Sequence, residues 1–139
     1  MKNPYIYKIL SVDKIIDGDT VDLTLDLGFG ITKKDRYRLD DIDTPESYRP
    51  HSRLEYNYAI SCKNYLRDLL SSYSSTLFIQ CSKVPEIYGR YGGTIFYQEN
   101  KTVNSKIQTF MDTFKITKAD IDFEETFNEL LNNELLNRI

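Results

Sequence analysis

From Val21 to Leu27 the chain alternates without interruption: Val21, Leu23, Leu25 and Leu27 are apolar, while Asp22, Thr24 and Asp26 are polar. A period of two belongs to a strand with one buried face, because successive side chains leave a strand on opposite sides. An amphipathic helix needs its apolar residues three or four apart and cannot use this pattern. Turn signals bound the stretch: Asp17-Gly18 before it and Gly28-Phe29-Gly30 after it. Tyr5 to Ile16, rich in Tyr, Ile, Leu and Val, reads as the preceding strand. Ile31 to Leu39 reads as the following one and puts Thr32, Lys34, Arg36 and Arg38 on one face. The expectation is a three-strand meander.

Asp40 to Ser52, with Pro45 and Pro50, reads as a loop. Arg53 to Leu70 then has helical spacing, with Leu54, Tyr58, Cys62, Leu66 and Leu69 or Leu70 on one stripe, until the cluster from Ser71 to Ser75 breaks it. Thr76 to Ser82 reads as a strand, Val84 to Gly93 as a loop with three glycines, Thr94 to Tyr97 as a strand, and Glu99-Asn100 as a hairpin turn. Thr102 to Phe114 is expected to be a short helix. A last helix is expected from Asp122, in a run resembling a capping box, to about Arg138. Five strands with a helix between the third and the fourth is the order of an OB-type barrel. The expected class is therefore α+β, mainly β: a five-stranded OB-fold barrel with about three helices. It forms a single domain over residues 1–139, with a divergent C-terminal helical part from about residue 108.

The net charge of −3 counts against a basic surface that would hold nucleic acid regardless of sequence. It leaves room for a cleft in which a few arginines and a bound cation reverse the local field. Cys62 and Cys81 have no metal-ligand spacing and read as buried free thiols. His51 is the sole histidine, which argues against a zinc site. The first residues show no apolar signal region, so the expected location is cytoplasmic, and no apolar run reaches membrane-spanning length. The chain is expected to be a monomer. Its 11 tyrosines are read mostly as strand and core residues.

Two acidic segments, Asp17-Gly18-Asp19-Thr20 and Asp43-Thr44-Pro45-Glu46, flank the strand ending in Tyr37-Arg38-Leu39, and a second arginine follows in Tyr88-Gly89-Arg90. If the strands between Thr20 and Leu39 form a hairpin, Asp19 and Asp43 return to one edge of the sheet. Two carboxylates there repel unless a cation or an arginine lies between them. Aspartate oxygens, a backbone carbonyl such as that of Thr44, and water suit Ca²⁺. Arginine's planar fork matches phosphate oxygens. Each segment alone is also an ordinary turn. The combination with Arg38 is what points to phosphodiester hydrolysis.

These same stretches resemble the staphylococcal (micrococcal) nuclease family of thermonuclease-like domains, over roughly residues 5 to 107. The matching runs are Ile16-Asp17-Gly18-Asp19-Thr20-Val21, then Tyr37-Arg38-Leu39 through Ile42-Asp43-Thr44-Pro45-Glu46, then Tyr88-Gly89-Arg90. Asp26-Leu27-Gly28-Phe29-Gly30 is similar to short phage and bacterial members. The resemblance implies Asp19 and Asp43 as side-chain Ca²⁺ ligands and Thr44 as a carbonyl ligand. Glu46 would be the base or the positioner of the attacking water, Arg38 and Arg90 would bind the scissile phosphate, and Tyr88 would line the nucleotide pocket. It implies DNA or RNA as substrate, endonucleolytic cleavage and 3′-phosphate products. The chain departs from the pattern at Ile87, where some members carry lysine, and beyond Val103-Asn104.

Two other classes are open to such a chain. One is a non-catalytic OB-fold module that binds nucleic acid or a protein partner. The other is a purely structural calcium site. Lys33-Lys34-Asp35-Arg36 is either a guide for a polynucleotide or a solvated strand face. Arg49, His51 and Arg53 are read first as loop residues beside the cleft.

Overall fold

The computed structural model describes residues 5–48, 50, 52–82, 84–85 and 89–114. The expected helix from Asp122 to Arg138, together with Arg49, His51, Ile87 and Tyr88, lies outside them.

Strands β1 (Ile6–Asp17), β2 (Thr20–Gly28) and β3 (Ile31–Leu39) form the expected antiparallel meander. The alternation of β2 becomes burial: Val21, Leu23 and Leu25 are inside, and Asp22 and Thr24 are half-buried on the other face. Register shifts interrupt the pairing of β1 with β2 at Ile9/Ser11, Val12/Lys14 and Ile15/Asp17. Such irregularities bend and twist a strand, which lets the 12-residue β1 wrap around a barrel.

Helix α1 (Arg53–Ser72) connects the meander to β4 (Phe78–Cys81). Its first turn is fixed by Ser52, whose hydroxyl accepts from the backbone N–H of Glu55 at 3.0 Å. Tyr58, Ala59, Cys62, Leu66 and Leu70 form its buried stripe. Strand β5 (Tyr91–Gln98) pairs with β4 and turns at Glu99-Asn100 into the two-residue β6 (Lys101–Thr102), followed by α2 (Val103–Phe114).

The sheet order is β3-β2-β1-β4-β5-β6, and a parallel pairing of β3 with β5 closes the first five strands into a mixed barrel. This is the OB-like α+β architecture expected, with two helices among the described residues. Leu23, Leu39, Leu66, Leu77, Ile79, Ile95, Val103 and Ile107 fill the core, drawn from strands and both helices. Among the described residues no helix is long and apolar enough to cross a membrane.

Several boundaries differ from expectation: α1 runs on through Ser71 and Ser72, β4 starts only at Phe78, and the short β6 is a sixth strand. Strand β5 begins at Tyr91, so Gly92 and Gly93 belong to a strand rather than to a loop. A β-carbon on Gly93 would lie 2.7 Å from Cδ1 of Ile79. The glycine is there because the neighbouring strand leaves no room for a side chain.

Candidate functional site

The antiparallel register sets Thr20 opposite Arg38 and Asp22 opposite Arg36. The turn before β2 therefore ends beside the last residues of β3, and the backbone N–H of Leu39 donates to the carbonyl of Asp19 at 2.7 Å. Asp19 is buried, and both of its carboxylate oxygens are engaged. Oδ1 accepts from the Thr20 hydroxyl at 2.9 Å, and Oδ2 accepts from the backbone N–H of Thr44 at 3.0 Å. Arg38 joins the two acidic segments. Its Nη2 lies 3.5 Å from Oδ2 of Asp19 and 3.3 Å from Oδ1 of Asp43. Its Nη1 donates to the carbonyls of Leu39 at 2.8 Å and Ile42 at 2.7 Å. One guanidinium thus fixes the start of the loop after β3 and balances two carboxylates.

A second anchor holds the far side of that loop. Oδ1 of Asp17 accepts from the backbone N–H of Ser47 at 3.1 Å and from its hydroxyl at 2.8 Å. Between the anchors sit Asp43, exposed, Thr44, buried, and Glu46, exposed. Gly18 packs tightly beneath: a β-carbon there would meet Cβ of Cys62 at 2.7 Å and Cγ2 of Thr44 at 3.0 Å. Burial, with a smaller contribution from the charge of Asp19, pushes the Cys62 thiol up to about 12.

Glu46 and Arg90 line one cleft of about 920 Å³ together with Asp13, Lys14, Asp22, Lys34, Asp35, Arg36 and Gly89. Arg90 directly precedes β5, whose Tyr91 and Gly92 pair with Tyr37 and Arg38 of β3. Arg36 and Arg38 share a face of β3, about 7 Å apart along the strand. Asp19, Arg38 and Asp43 stand outside the cleft lining, Arg38 one strand repeat beyond Arg36 and the two aspartates bound to it. The structure thus gathers Asp19, Arg38, Asp43 and Thr44 into one bonded group. It places Glu46 and Arg90 in the adjoining cleft. Tyr88 lies outside the described residues.

The cleft lining holds four carboxylates and four basic side chains, so it is not a uniformly basic trough. Arg36 is held by Asp22 through two hydrogen bonds of 2.8 and 3.2 Å, which raises the guanidinium pKa. Asp13 is pulled below the usual carboxylate range: burial opposes this, but hydrogen bonds from Thr24 and Ser11 and the charge of Lys34 outweigh it. A polyanion entering this cleft meets compensated charges, and extra positive charge must come from elsewhere.

Among the described residues no group of three or more His, Cys, Asp and Glu side chains gathers around one point. Two carboxylates do: Asp19 and Asp43 reach the same nitrogen of Arg38. Beside them the buried Oγ1 of Thr44 has no hydrogen-bond partner. These donors are all oxygen, the kind a hard cation takes rather than a thiophilic one, and in this structure the guanidinium of Arg38 occupies the space between the two carboxylates.

Three features were not foreseen from the residues. The Asp17–Ser47 anchor, the Arg36–Asp22 pair and the role of Asn104 all depend on partners distant in sequence. Asn104 is buried in α2. Its Oδ1 accepts from the N–H of Ile95 at 3.0 Å, and its Nδ2 donates to the carbonyls of Asp40 at 2.9 Å and Gly93 at 3.2 Å. It ties the end of β3 to β5. A register-based pairing of Asp22 with Arg36 was the one signal available in advance, since both strands were already legible.

Compared with protein-family models and with curated proteins, the chain matches none.

Proposed function

We propose that this protein is a Ca²⁺-dependent nuclease that hydrolyses phosphodiester bonds of DNA, RNA or both, as its resemblance to the staphylococcal nuclease family implies. The observation that carries the reading is the bridging of Asp19 and Asp43 by Arg38, with Glu46 and Arg90 in the adjoining cleft. The residues come from four separate stretches, and each brings chemistry that phosphoryl transfer needs.

Phosphodiester hydrolysis asks for charge stabilisation and positioning more than for covalent help. Asp19, Asp43 and the carbonyl of Thr44 would hold the calcium ion, which supplies Lewis-acid charge to a phosphoryl oxygen. Arg38 and Arg90 grip the non-bridging oxygens as negative charge grows on them. Glu46, exposed on the cleft wall, takes a proton from the attacking water or holds that water in line with the leaving ester oxygen. Arg38 has two roles, since the guanidinium that would meet phosphate is also the group that now neutralises the aspartates.

The deciding experiment is digestion of labelled single- and double-stranded DNA and RNA with Ca²⁺, Mg²⁺ and EGTA in parallel. Cleavage in Ca²⁺ that stops under chelation supports the reading, and undiminished cleavage in EGTA rejects the calcium mechanism. Binding of polynucleotide in Ca²⁺ without turnover would assign the chain to the non-catalytic OB-fold class. A calcium-dependent rise in melting temperature with no cleavage would leave only a structural ion site.

A further inference from the structure

The β2–β3 hairpin ends in an arrangement that folding alone does not explain. Phe29 is fully exposed, at 101 % of its reference area. It contributes nothing to the core, and burying a Phe is worth far more than leaving it in water. Its backbone is left-handed at φ 58°, a conformation that bulky residues seldom adopt. It lies between Gly28 at φ 85° and Gly30 at φ 75°. Positive φ at both Phe29 and Gly30 matches a type I′ turn, whose first central position ordinarily holds Asn, Asp or Gly. The turn is braced on one side: the N–H of Gly28 donates to Oδ1 of Asp26 at 2.8 Å, and Gly28 pairs with Ile31 beyond a register shift at Asp26/Gly28. The tip projects an aromatic ring into solvent, with Ile31 exposed beside it.

The strand that carries this ring leads to the candidate site. Along β3, Lys34 and Arg36 line the cleft, and Arg38 follows on the same face. From Ile31 to Arg38 the strand covers roughly 24 Å. At the per-strand spacing of B-DNA, about 3.4 Å, that distance takes at most roughly seven nucleotides, and fewer in an extended single strand. A flat aromatic ring at the end of such a path offers what an unpaired base binds, a π face with no sequence preference.

We propose that Phe29 is a base-stacking subsite: a single-stranded polynucleotide seated at the cleft lies along β3 past Lys34 and stacks an unpaired base on the hairpin tip. This rests on the nuclease reading for its substrate class and adds a remote contact that makes capture depend on strand length and on single-strandedness.

The chain contains no tryptophan, so Phe29→Trp places a single reporter at the tip. Its full exposure means the change does not disturb packing. With a catalytically silenced Glu46→Gln background in Ca²⁺, an oligo(dT) of about twelve nucleotides, long enough for the span, should quench the tryptophan emission. A dinucleotide should not. In the otherwise native protein, Phe29→Ala should weaken binding of the long single strand by about five- to a hundred-fold and leave dinucleotide cleavage unchanged. Anisotropy of the labelled oligonucleotide reports binding independently. Binding without quenching, or cleavage with no length-dependent loss in Phe29→Ala, overturns the subsite while leaving the nuclease reading intact. Absence of both binding and cleavage of any polynucleotide overturns both. A blue shift on anionic phosphatidylglycerol vesicles with no response to oligo(dT) overturns the subsite in favour of a lipid-facing tip.

Discussion

Nη2 of Arg38 lies 3.5 Å from Oδ2 of Asp19, and the same carboxylate oxygen accepts the N–H of Thr44 at 3.0 Å. A buried carboxylate is costly unless it is hydrogen-bonded and balanced. Here the loop backbone supplies the hydrogen bond and β3 supplies the charge. The loop between β3 and α1 is therefore positioned by the group it would serve.

Arg38 and Glu46 should separate stability from activity. Glu46→Gln changes an exposed side chain and should leave the unfolding midpoint in urea where it was, while polynucleotide cleavage falls about 10²–10³-fold. Arg38→Lys should lose as much activity. It should also lose about 1–3 kcal/mol of stability, because lysine cannot satisfy the carbonyls of Leu39 and Ile42 while facing Asp19. Unchanged cleavage by either variant would remove that residue from the mechanism.

Asp17 holds Ser47, the neighbour of Glu46, so in the proposed mechanism it positions Glu46 rather than touching substrate. Asp17→Ala releases both bonds to Ser47, the residue next to Glu46. The expected outcome is a fall in kcat of about ten- to a hundred-fold with little change in KM, since small misplacements of a catalytic group are costly. Asp17→Asn keeps an acceptor and should restore most of the rate. Steady-state kinetics of the two variants side by side decide the matter.

Asn104 should prove structural. Asn104→Ala removes three hydrogen bonds, two of them buried, and leaves the N–H of Ile95 inside the protein with nothing to donate to. A loss of about 2–4 kcal/mol follows, measurable by chemical denaturation. The activity of the remaining folded fraction should fall as well, because the end of β3 carries Arg38.

Alkali should erode the stability of the protein over a defined window. Burial pushes Cys62 from an ordinary value near 9 up to about 12, and Tyr58 from near 10 up to about 12. The folded state thus keeps protons that the unfolded chain has already released. Stability from these groups is complete below about pH 9 and declines as the pH rises towards 12. Cys62→Ala should lower stability at neutral pH by leaving a void, yet flatten the decline above pH 9. In the native protein at pH 8, Cys62 should resist a thiol reagent that reacts readily after unfolding.

The meander was legible because Val21 to Leu27 keeps one period with no competing signal, and α1 because its stripe recurs through Tyr58, Cys62, Leu66 and Leu70. The start of β5 was not, since Gly92-Gly93 looks like a turn until the side chain of Ile79 is seen to occupy the space beside it. Local pattern carries no information about such a neighbour. The same division runs through the site. Asp19, Arg38, Asp43 and Glu46 stood out as a constellation of charged residue types at turn and strand ends. Ser47 did not, because a serine in a polar loop has no signature, and its worth comes from Asp17, 30 positions away. Phe29 was visible as a turn residue, but only coordinates show that it is wholly outside.

Because β3 and β5 run side by side in the same direction, they cannot be joined by a tight hairpin, and everything from Asp40 to Arg90 must be laid down before they meet. Arg38 and Arg90 are therefore strangers until the seam between β3 and β5 is sealed. A chain emerging from synthesis holds Arg38 long before Arg90, and the two can be neighbours only after the second has been made.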